Sequence, residues 1–176
     1  ALLFAAMGLN AKVKLPSLIG ENMILQQQTS VNLWGEATPN ATVKVTPSWN
    51  GKEYTCKANK KGEWMLKVET PQAGYTPYTL TFDDGEKTQI GNVLVGEVWL
   101  ASGQSNMEMP LKGFGGCCIM NGIEDIAYSA ENKGVRMFTV PKRQCYELQT
   151  SCEGQWNLAT PATAGDFSAT AYHYAT

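Results

Sequence analysis

The sequence Val93-Leu-Val-Gly-Glu-Val-Trp-Leu-Ala-Ser-Gly-Gln-Ser-Asn-Met-Glu-Met109 lies just past the middle of the chain. Its first part, Val93–Leu100, is apolar and rich in β-branched residues, which predicts a buried strand. The polar turn Gly103-Gln-Ser-Asn106 follows and leads into a predicted helix. Ser105 is therefore expected just past the carboxyl end of a strand, where ligands bind in open α/β sheets and backbone N–H groups are free. Because such turns are common, the spacing alone makes Ser105 only a candidate nucleophile.

A longer block around this serine carries a more specific signal. The residues Gly96-Glu-Val-Trp-Leu-Ala-Ser-Gly-Gln-Ser-Asn-Met-Glu-Met-Pro110 resemble the first sequence block of the sialate O-acetylesterase family, which are SGNH-type carbohydrate esterases. The resemblance implies that Ser105 is the acyl-accepting nucleophile. Two weaker matches extend it: Gly134–Lys142 resembles the family's second strand, and Trp156–Tyr172 resembles its later Trp…Pro…Phe-Ser-Ala segment.

Composition narrows the class of protein. The 176 residues are 43% hydrophobic, which is enough for the core of one large domain or two small ones. A net charge of −2 without any basic run argues against a nucleic-acid partner or an anionic membrane surface. No metal site is predicted, because the sequence has no metal-spaced Cys/His cluster. The esterase chemistry that the resemblance implies also needs no cofactor.

Residues 1–11 read Ala-Leu-Leu-Phe-Ala-Ala-Met-Gly-Leu-Asn-Ala and are small and apolar. They predict the remnant of a secretory signal peptide, although Leu9 departs from the small-residue cleavage pattern. A buried first strand or helix is the alternative. The run is about half the ~20 residues needed to cross a bilayer, so no membrane span is expected. This interpretation predicts a secreted or periplasmic protein.

Export would place the five cysteines in an oxidising compartment where some could pair. Six residues separate Cys145 from Cys152, so these two could close a small loop. A bond between the neighbours Cys117 and Cys118 would be strained, and Cys56 stands alone in the first half. The odd total leaves at least one free thiol.

Residues 12–91 read as short strands separated by turn residues, which predicts a β-sandwich domain. Six strands are expected here, at 22–26, 30–35, 41–46, 52–57, 63–69 and 78–82. Asn50-Gly51 and Asp84-Gly85 predict type I′ hairpin turns, in which both central residues need a positive φ. Lys60-Lys-Gly62 predicts a third tight turn. The resemblance implies the same arrangement, a β-sandwich that precedes the catalytic domain.

The aromatic side chains of this domain allow two interpretations. They could stack on sugars, but aromatic residues at alternate strand positions more often fill a small core, which is what we expect here. A noncatalytic carbohydrate-binding or interaction module is the competing hypothesis, and it requires exposed tryptophans together with a buried Ser105. The residues in question are Trp34, Trp49, Trp64, Tyr75 and Tyr78.

Residues 92–176 predict the N-terminal part of a second domain. Strand Val93–Leu100, apolar residues at helical intervals from Ile119 to Ala130, and strand Val135–Val140 predict a right-handed βαβ unit with parallel strands. Such a unit begins a flavodoxin-like three-layer α/β domain, the SGNH hydrolase fold, and we expect that domain to be incomplete in this chain. The glycines of Lys112–Gly116 do not match a phosphate loop, so they are expected to form a mobile rim of the active site.

Only part of a serine esterase's catalytic set is expected in this sequence. The enzyme needs a base, a carboxylate that orients the base, and donors for the oxyanion. His173 is the sole histidine, but the resemblance implies that the catalytic histidine belongs to a later Asp-x-x-His block that is absent here. Gln104 and Asn106 are candidates for oxyanion or substrate binding, with helix capping as the alternative. Glu108 is expected to pair with Lys112 or to anchor the loop.

The resemblance implies a carbohydrate O-acetylesterase that acts through an acetyl-Ser105 intermediate. O-acetylated sialic acid is the implied substrate class, and acetylated plant polysaccharide of the xylan type is the alternative. This chain alone is expected to be inactive. If the enzyme is processed, a second chain would carry the missing Asp and His, which predicts a broad apolar surface on the second half of this one.

Overall fold

The computed structural model describes residues 12–176, so the signal-peptide interpretation concerns a segment outside them. β-Strands dominate the first half, while short helices and one small sheet make up the second. The strands are β1 Ile24–Gln26, β2 Ser30–Glu36, β3 Thr42–Pro47, β4 Tyr54–Lys57, β5 Glu63–Glu69, β6 Gly74–Asp83, β7 Lys87–Gly96, β8 Arg136–Phe138 and β9 Trp156–Leu158. The helices are α1 Ser105–Glu108, α2 Gly122–Tyr128 and α3 Ala169–Ala175. None of these helices is long and apolar enough to span a bilayer.

The first seven strands form two sheets. One has five strands in the order β1-β7-β6-β3-β4, and the other pairs β2 with β5 in antiparallel register from Ser30↔Glu69 to Glu36↔Glu63. The larger sheet is mixed, because β1 runs parallel to β7 while the remaining pairs are antiparallel. The prediction of a strand-rich first half is confirmed.

One apolar core lies between these two sheets. Strand β5 alternates strictly between exposed and buried residues, as expected of a strand with one face in the core. Trp64 from β5 meets Phe82 from β6 with ring centroids 6.0 Å apart. Trp34, Trp49 and Tyr78 pack at the margin of this core. Most of the aromatic residues thus serve packing, whereas Tyr75 is 80% exposed.

The two predicted hairpin turns differ from type I′. Gly51 and Gly85 have φ values of +63° and +116°, but Asn50 and Asp84 do not have a positive φ. The loops are longer than the two residues that type I′ turns join, since β3 and β4 are separated by residues 48–53 and β6 and β7 by residues 84–86. Asn50 instead uses its side-chain oxygen to accept the N–H of Lys52 at 3.0 Å. The prediction of a tight turn at Gly62 is confirmed, with φ +89°.

Gly62 and Gly51 offer a matched test of this turn. A Cβ at Gly62 would lie 2.4 Å from the carbonyl oxygen of Ala37, whereas a Cβ at Gly51 would meet nothing within 4 Å. Both substitutions place an alanine at a positive φ, a left-handed backbone conformation that costs about 1–2 kcal/mol. We expect Gly62→Ala to lower the free energy of unfolding by at least twice as much as Gly51→Ala, measured by urea denaturation. Equal losses would show that the contact with Ala37 relaxes freely.

The predicted parallel βαβ unit is not formed by residues 12–176. The run predicted as Val93–Leu100 is instead the end of β7, which stops at Gly96 and belongs to the first sheet. Its parallel partner β1 reaches only to the Gln26↔Gly96 pair, so no strand lies beside residues 97–100. Strand β8 pairs antiparallel with β9 rather than parallel with β7. The domain division expected between residues 91 and 92 therefore falls inside a strand.

The second half has a small core and a large apolar surface. The residues of this core are mostly small or come from short elements, and they are Leu111, Met137, Ala159, Ala164, Ala169 and Tyr172. Large apolar side chains that are exposed, among the residues that the structure describes, lie mainly beyond residue 97. Those beyond residue 97 are Val98, Trp99, Leu100, Phe114, Met120, Ile123, Tyr128, Val140, Tyr146, Leu148 and Tyr174.

Residues 139–155, here called the strap, connect β8 to β9 and cross the sandwich. The indole N–H of Trp34 donates to the carbonyl of Thr150 at 2.8 Å. The hydroxyl of Ser17 donates to the carbonyl of Cys152 at 2.5 Å. Just past the strap, the indole N–H of Trp156 donates to the carbonyl of Leu18 at 2.9 Å. These three hydrogen bonds tie the second half to the first.

The possible disulfide between Cys145 and Cys152 is not formed. All five cysteines are free thiols in the structure. Cys152 lies against the sandwich, where its Sγ is 3.8 Å from the Ser17 hydroxyl, while Cys145 is exposed.

Candidate active site

Ser105 is the first residue of α1 and is exposed. Residues 97–104, which have no helix or strand, separate it from the end of β7, so it does not lie just past a strand as predicted. Its hydroxyl makes no hydrogen bond with any residue of 12–176. The noncatalytic-module hypothesis required a buried serine and an exposed row of tryptophans. Neither condition is met, since Trp64 is 4% exposed and Trp34 packs against the core.

Unpaired backbone N–H groups lie beside this hydroxyl. The N–H groups of Met107 and Glu108 donate to the carbonyl of Gln104 at 2.9 and 3.2 Å. Those of Ser105 and Asn106 have no acceptor within the part of the chain that the structure describes. A hydroxyl next to free N–H donors is the arrangement that acyl transfer needs, because the donors can stabilise the oxyanion of a tetrahedral intermediate.

The side chains of Gln104 and Asn106 are also exposed. Neither makes a hydrogen bond inside residues 12–176, so the alternative interpretation as helix caps is not realised. The carbonyl of Asn106 accepts the hydroxyl of Thr170 at 3.2 Å, which fixes its backbone and leaves its amide group free. Both amides are thus available to a ligand at this turn.

The start of α3 holds α1 in place. Ser168 caps α3 by accepting the N–H of Ala171 at 3.3 Å, and its hydroxyl lies 3.3 Å from the sulfur of Met107. The N–H of Ala169 donates to the carbonyl of Met109 at 2.8 Å. Met107 and Met109, which follow Ser105 closely in sequence, therefore attach the serine turn to the start of α3.

Two ion pairs flank the turn, and they are not the predicted pair. Glu108 contacts Lys142 of the strap at 2.6 Å, and Lys112 pairs with Asp166. The expected Glu108–Lys112 pair fails because α1 ends at Glu108, so the two residues do not share a helix face. Glu108 instead contacts the strap, and since both side chains are largely exposed the ion pair contributes little to stability.

His173 does not contact Ser105. Its Nε2 lies 3.7 Å from Oδ2 of Asp125 on α2, and the structure places no imidazole within hydrogen-bonding distance of the Ser105 hydroxyl in residues 12–176. Nearby, the glycine-rich residues form a closed turn, in which Phe114 and Cys117 exchange two backbone hydrogen bonds of 3.0 Å. No three His, Cys, Asp or Glu side chains cluster as a metal site in the same residues.

A polar cluster that sequence reasoning missed lies where β7 ends. The carboxylate of Glu97 accepts the amide N–H groups of Gln26 at 2.9 Å and Gln27 at 2.6 Å. These two hydrogen bonds lower the pKa of Glu97. We call Gln26, Gln27 and Glu97 the glutamine clamp. No local pattern predicts it, because its two parts are about seventy residues apart in sequence.

A cavity of about 460 Å³ opens between the sandwich and the second half. Its walls include Tyr75, Trp99, Arg136, Trp156 and Tyr174, but they do not include Ser105. Trp99 and Tyr174 meet edge to face, with centroids 5.2 Å apart. Burial lowers the pKa of Arg136, whose Nε has no hydrogen-bond partner. Part of its lining, from Glu97 to Trp99, belongs to the segment that leads to the serine turn.

Comparison with known proteins gives a consistent group of relatives. No protein-family model matches the chain. The sequence is 30% identical over 162 residues to the sialate O-acetylesterase of Mus musculus, and 29% identical over 161 residues to those of Rattus norvegicus and Homo sapiens. Each match covers 85% of this chain, and the chain spans only 29–30% of the length of these relatives. The predicted resemblance is confirmed.

A solved structure supports the same relationship. The fold matches that of a carbohydrate acetylesterase from Xanthomonas citri with a TM-score of 0.83 and 36% sequence identity. The match covers 93% of this chain and 36% of that protein. The mostly β-strand fold described above, with the serine turn attached to it, is thus similar to part of a carbohydrate acetylesterase.

Proposed function

Starting from its sequence similarity to the sialate O-acetylesterases, we propose that this chain carries the nucleophile of a carbohydrate O-acetylesterase. The enzyme would hydrolyse acetyl esters of sugar hydroxyls. The observation that supports this most directly is the Ser105 turn, where an exposed, unbonded hydroxyl lies beside the unpaired N–H groups of Ser105 and Asn106.

The proposed mechanism assigns each group at the turn a step. The Oγ of Ser105 attacks the acetyl carbonyl carbon while a base takes its proton. The two free N–H groups, supplemented by the amide of Gln104 or Asn106, donate to the oxyanion. The intermediate collapses, the C–O bond to the sugar breaks, and the sugar oxygen receives the proton from the base. Water then attacks the acetyl-serine, releasing acetate and restoring the hydroxyl.

We propose that the base and its orienting carboxylate come from outside these 176 residues. They would be supplied either by further sequence in the same protein or by a second chain. The exposed apolar side chains of the second half, such as Leu100, Ile123 and Leu148, would then pack against that remainder. Together they would complete a flavodoxin-like three-layer domain, and residues 12–176 alone would be inactive.

His173→Ala tests this assignment of the base. If His173 is only the partner of Asp125, its loss should change stability by about 0.5 kcal/mol or less, so we expect kcat of the full-length gene product to stay close to that of wild type. A general base would instead contribute about 10²–10⁴-fold. Steady-state kinetics on an acetylated aryl ester decide between the two. A loss of two orders of magnitude or more would make His173 the base.

The substrate proposal follows the names of the relatives. O-acetylated sialic acid is the first candidate and acetylated xylan the second. Acetate release is measured from both and from an acetylated aryl ester, using the full-length gene product and the 176-residue chain. We expect turnover only with the full-length product, and with sialic acid preferred. No acetate release from any of the three would contradict the proposed function. We also propose export to the periplasm or the extracellular space, which the apolar residues 1–11 support.

A further inference from the structure

The segment between β7 and α1 carries the serine turn but has no regular structure of its own. Residues 97–104 form no helix or strand, and the chain at Leu100 is 92% exposed. Without a ladder of backbone hydrogen bonds, the direction of this segment depends on side-chain contacts at its ends and at Trp99, which meets Tyr174 edge to face. The glutamine clamp lies at the first of these ends.

Each glutamine of the clamp joins Glu97 to a backbone N–H group. Gln26 donates to one carboxylate oxygen and accepts the N–H of Val98 at 2.9 Å. Gln27 donates to the other oxygen and accepts the N–H of Ala73 at 2.8 Å. Both carboxylate oxygens and both amide groups are therefore used at once. This arrangement fixes the orientation of Glu97 more tightly than a single hydrogen bond would.

The parallel pairing of β1 with β7 makes the clamp possible. Gln26 is in register with Gly96, and the N–H of Gln27 donates to the carbonyl of Gly96 at 2.8 Å. The clamp thus extends the contact between β1 and β7 by one residue beyond Gln26↔Gly96, their last backbone pair. At the far end of the segment, Thr170 holds the carbonyl of Asn106. The serine turn is suspended between these two anchors.

We propose that Glu97 is a positioning residue for Ser105. The clamp sets where residues 98–104 leave the sandwich, and so it sets the position of the hydroxyl relative to the remaining catalytic groups. This inference rests on the proposed esterase function. Glu97 is exposed, and exposed polar contacts contribute little to stability, so the clamp's effect is expected on catalysis rather than on folding.

The test compares Glu97→Ala with Glu86→Ala in the full-length gene product. Glu86 is an exposed carboxylate in the loop between β6 and β7 that has no hydrogen-bond or ion-pair partner in residues 12–176. Because misplacing a reacting group by about 1 Å can cost about 10²-fold, we expect Glu97→Ala to lower kcat about 10–100-fold. KM and the urea midpoint should match those of Glu86→Ala. Labelling of Ser105 by a fluorophosphonate should slow in parallel with kcat.

Two further variants keep the test decisive. Gln27→Ala removes one of the two hydrogen bonds to Glu97, together with the bond to the N–H of Ala73, and should give a smaller loss of kcat than Glu97→Ala. Combining the two substitutions should lower kcat by less than the product of the single effects, because both act on the position of the same carboxylate. If Glu97→Ala does not fold, Gln27→Ala alone carries the test. Glu97→Gln, which retains one acceptor oxygen, should recover part of the lost kcat.

The outcomes separate the two proposals. An inactive wild type, or full activity in Ser105→Ala, overturns the esterase function and the positioning role with it. If wild type is active and Ser105→Ala is not, unchanged kcat in Glu97→Ala and Gln27→Ala overturns the positioning role alone. A loss of kcat that only follows a lowered urea midpoint also overturns it, since that is the behaviour of a structural contact.

Discussion

Ser105→Ala is expected to lower kcat for acetate release by the full-length gene product about 10³-fold or more, because it removes the atom that forms the acyl bond. The hydroxyl is exposed and unbonded, so its loss should leave the free energy of unfolding almost unchanged. The measurement is the rate of acetate release from an acetylated aryl ester, together with a urea denaturation curve of each protein.

The matched control for this prediction is Ser30→Ala. Ser30 is an exposed serine at the start of β2, and its side chain makes no hydrogen bond in residues 12–176. This variant should retain wild-type activity. If Ser105→Ala also remained within a few-fold of wild type, the nucleophile would have to be another residue, and the assignment drawn from the Gly96–Pro110 block would be wrong.

Phe82→Ala is expected to produce the largest loss of stability. Phe82 is fully buried and its ring lies against Trp64 where the two sheets meet. Replacing a buried phenylalanine with alanine costs about 3–5 kcal/mol, from lost apolar burial and from the cavity left behind. A loss of that size exceeds a third of the whole stability of many domains. Urea denaturation followed by tryptophan fluorescence measures it.

Met65→Ala provides the comparison within the same sandwich. Met65 is next to Trp64 in β5 but points to the other face and is 59% exposed. It should cost about 0.5 kcal/mol or less, as exposed substitutions generally do. Comparable losses in the two variants would mean that the outer face of β5 is covered in solution, for example by the remainder of the protein.

Local sequence patterns predict the first half well because its strands are defined by alternation. The expected strand 63–69 coincides with β5, where every second residue is buried. They do not predict pairing between distant segments. The sequence pattern predicts one strand over Val93–Leu100, yet β7 ends at Gly96, the glycine within that run, opposite Gln26 at the end of β1. The antiparallel pairing of β8 with β9 is equally invisible in a local pattern.

The same distinction between local motifs and distant contacts applies to the candidate site. Ser105, Gln104 and Asn106 come from one short motif, so sequence reasoning reached all three. The contacts that hold these residues in place come from distant parts of the sequence. Thr170 and Ser168 reach the turn from more than sixty residues away, and the glutamine clamp closes over about seventy. Glu108 is the clearest example of a contact that local spacing does not predict. Its partner is Lys142 of the strap and not Lys112, the residue four positions along the chain.

The strap has a consequence for how the chain folds. Its hydrogen bonds and that of Trp156 join residues separated by 116, 135 and 138 positions in sequence. Contacts of such high sequence separation require the closure of very long loops, which slows folding. The sandwich is synthesised first and none of its strand pairs involves the strap, so it would form while the strap is still unattached. Until it docks, the margin of the sandwich core around Trp34 is open to contacts between molecules. The refolding yield of this protein should therefore depend on protein concentration more than its equilibrium stability does.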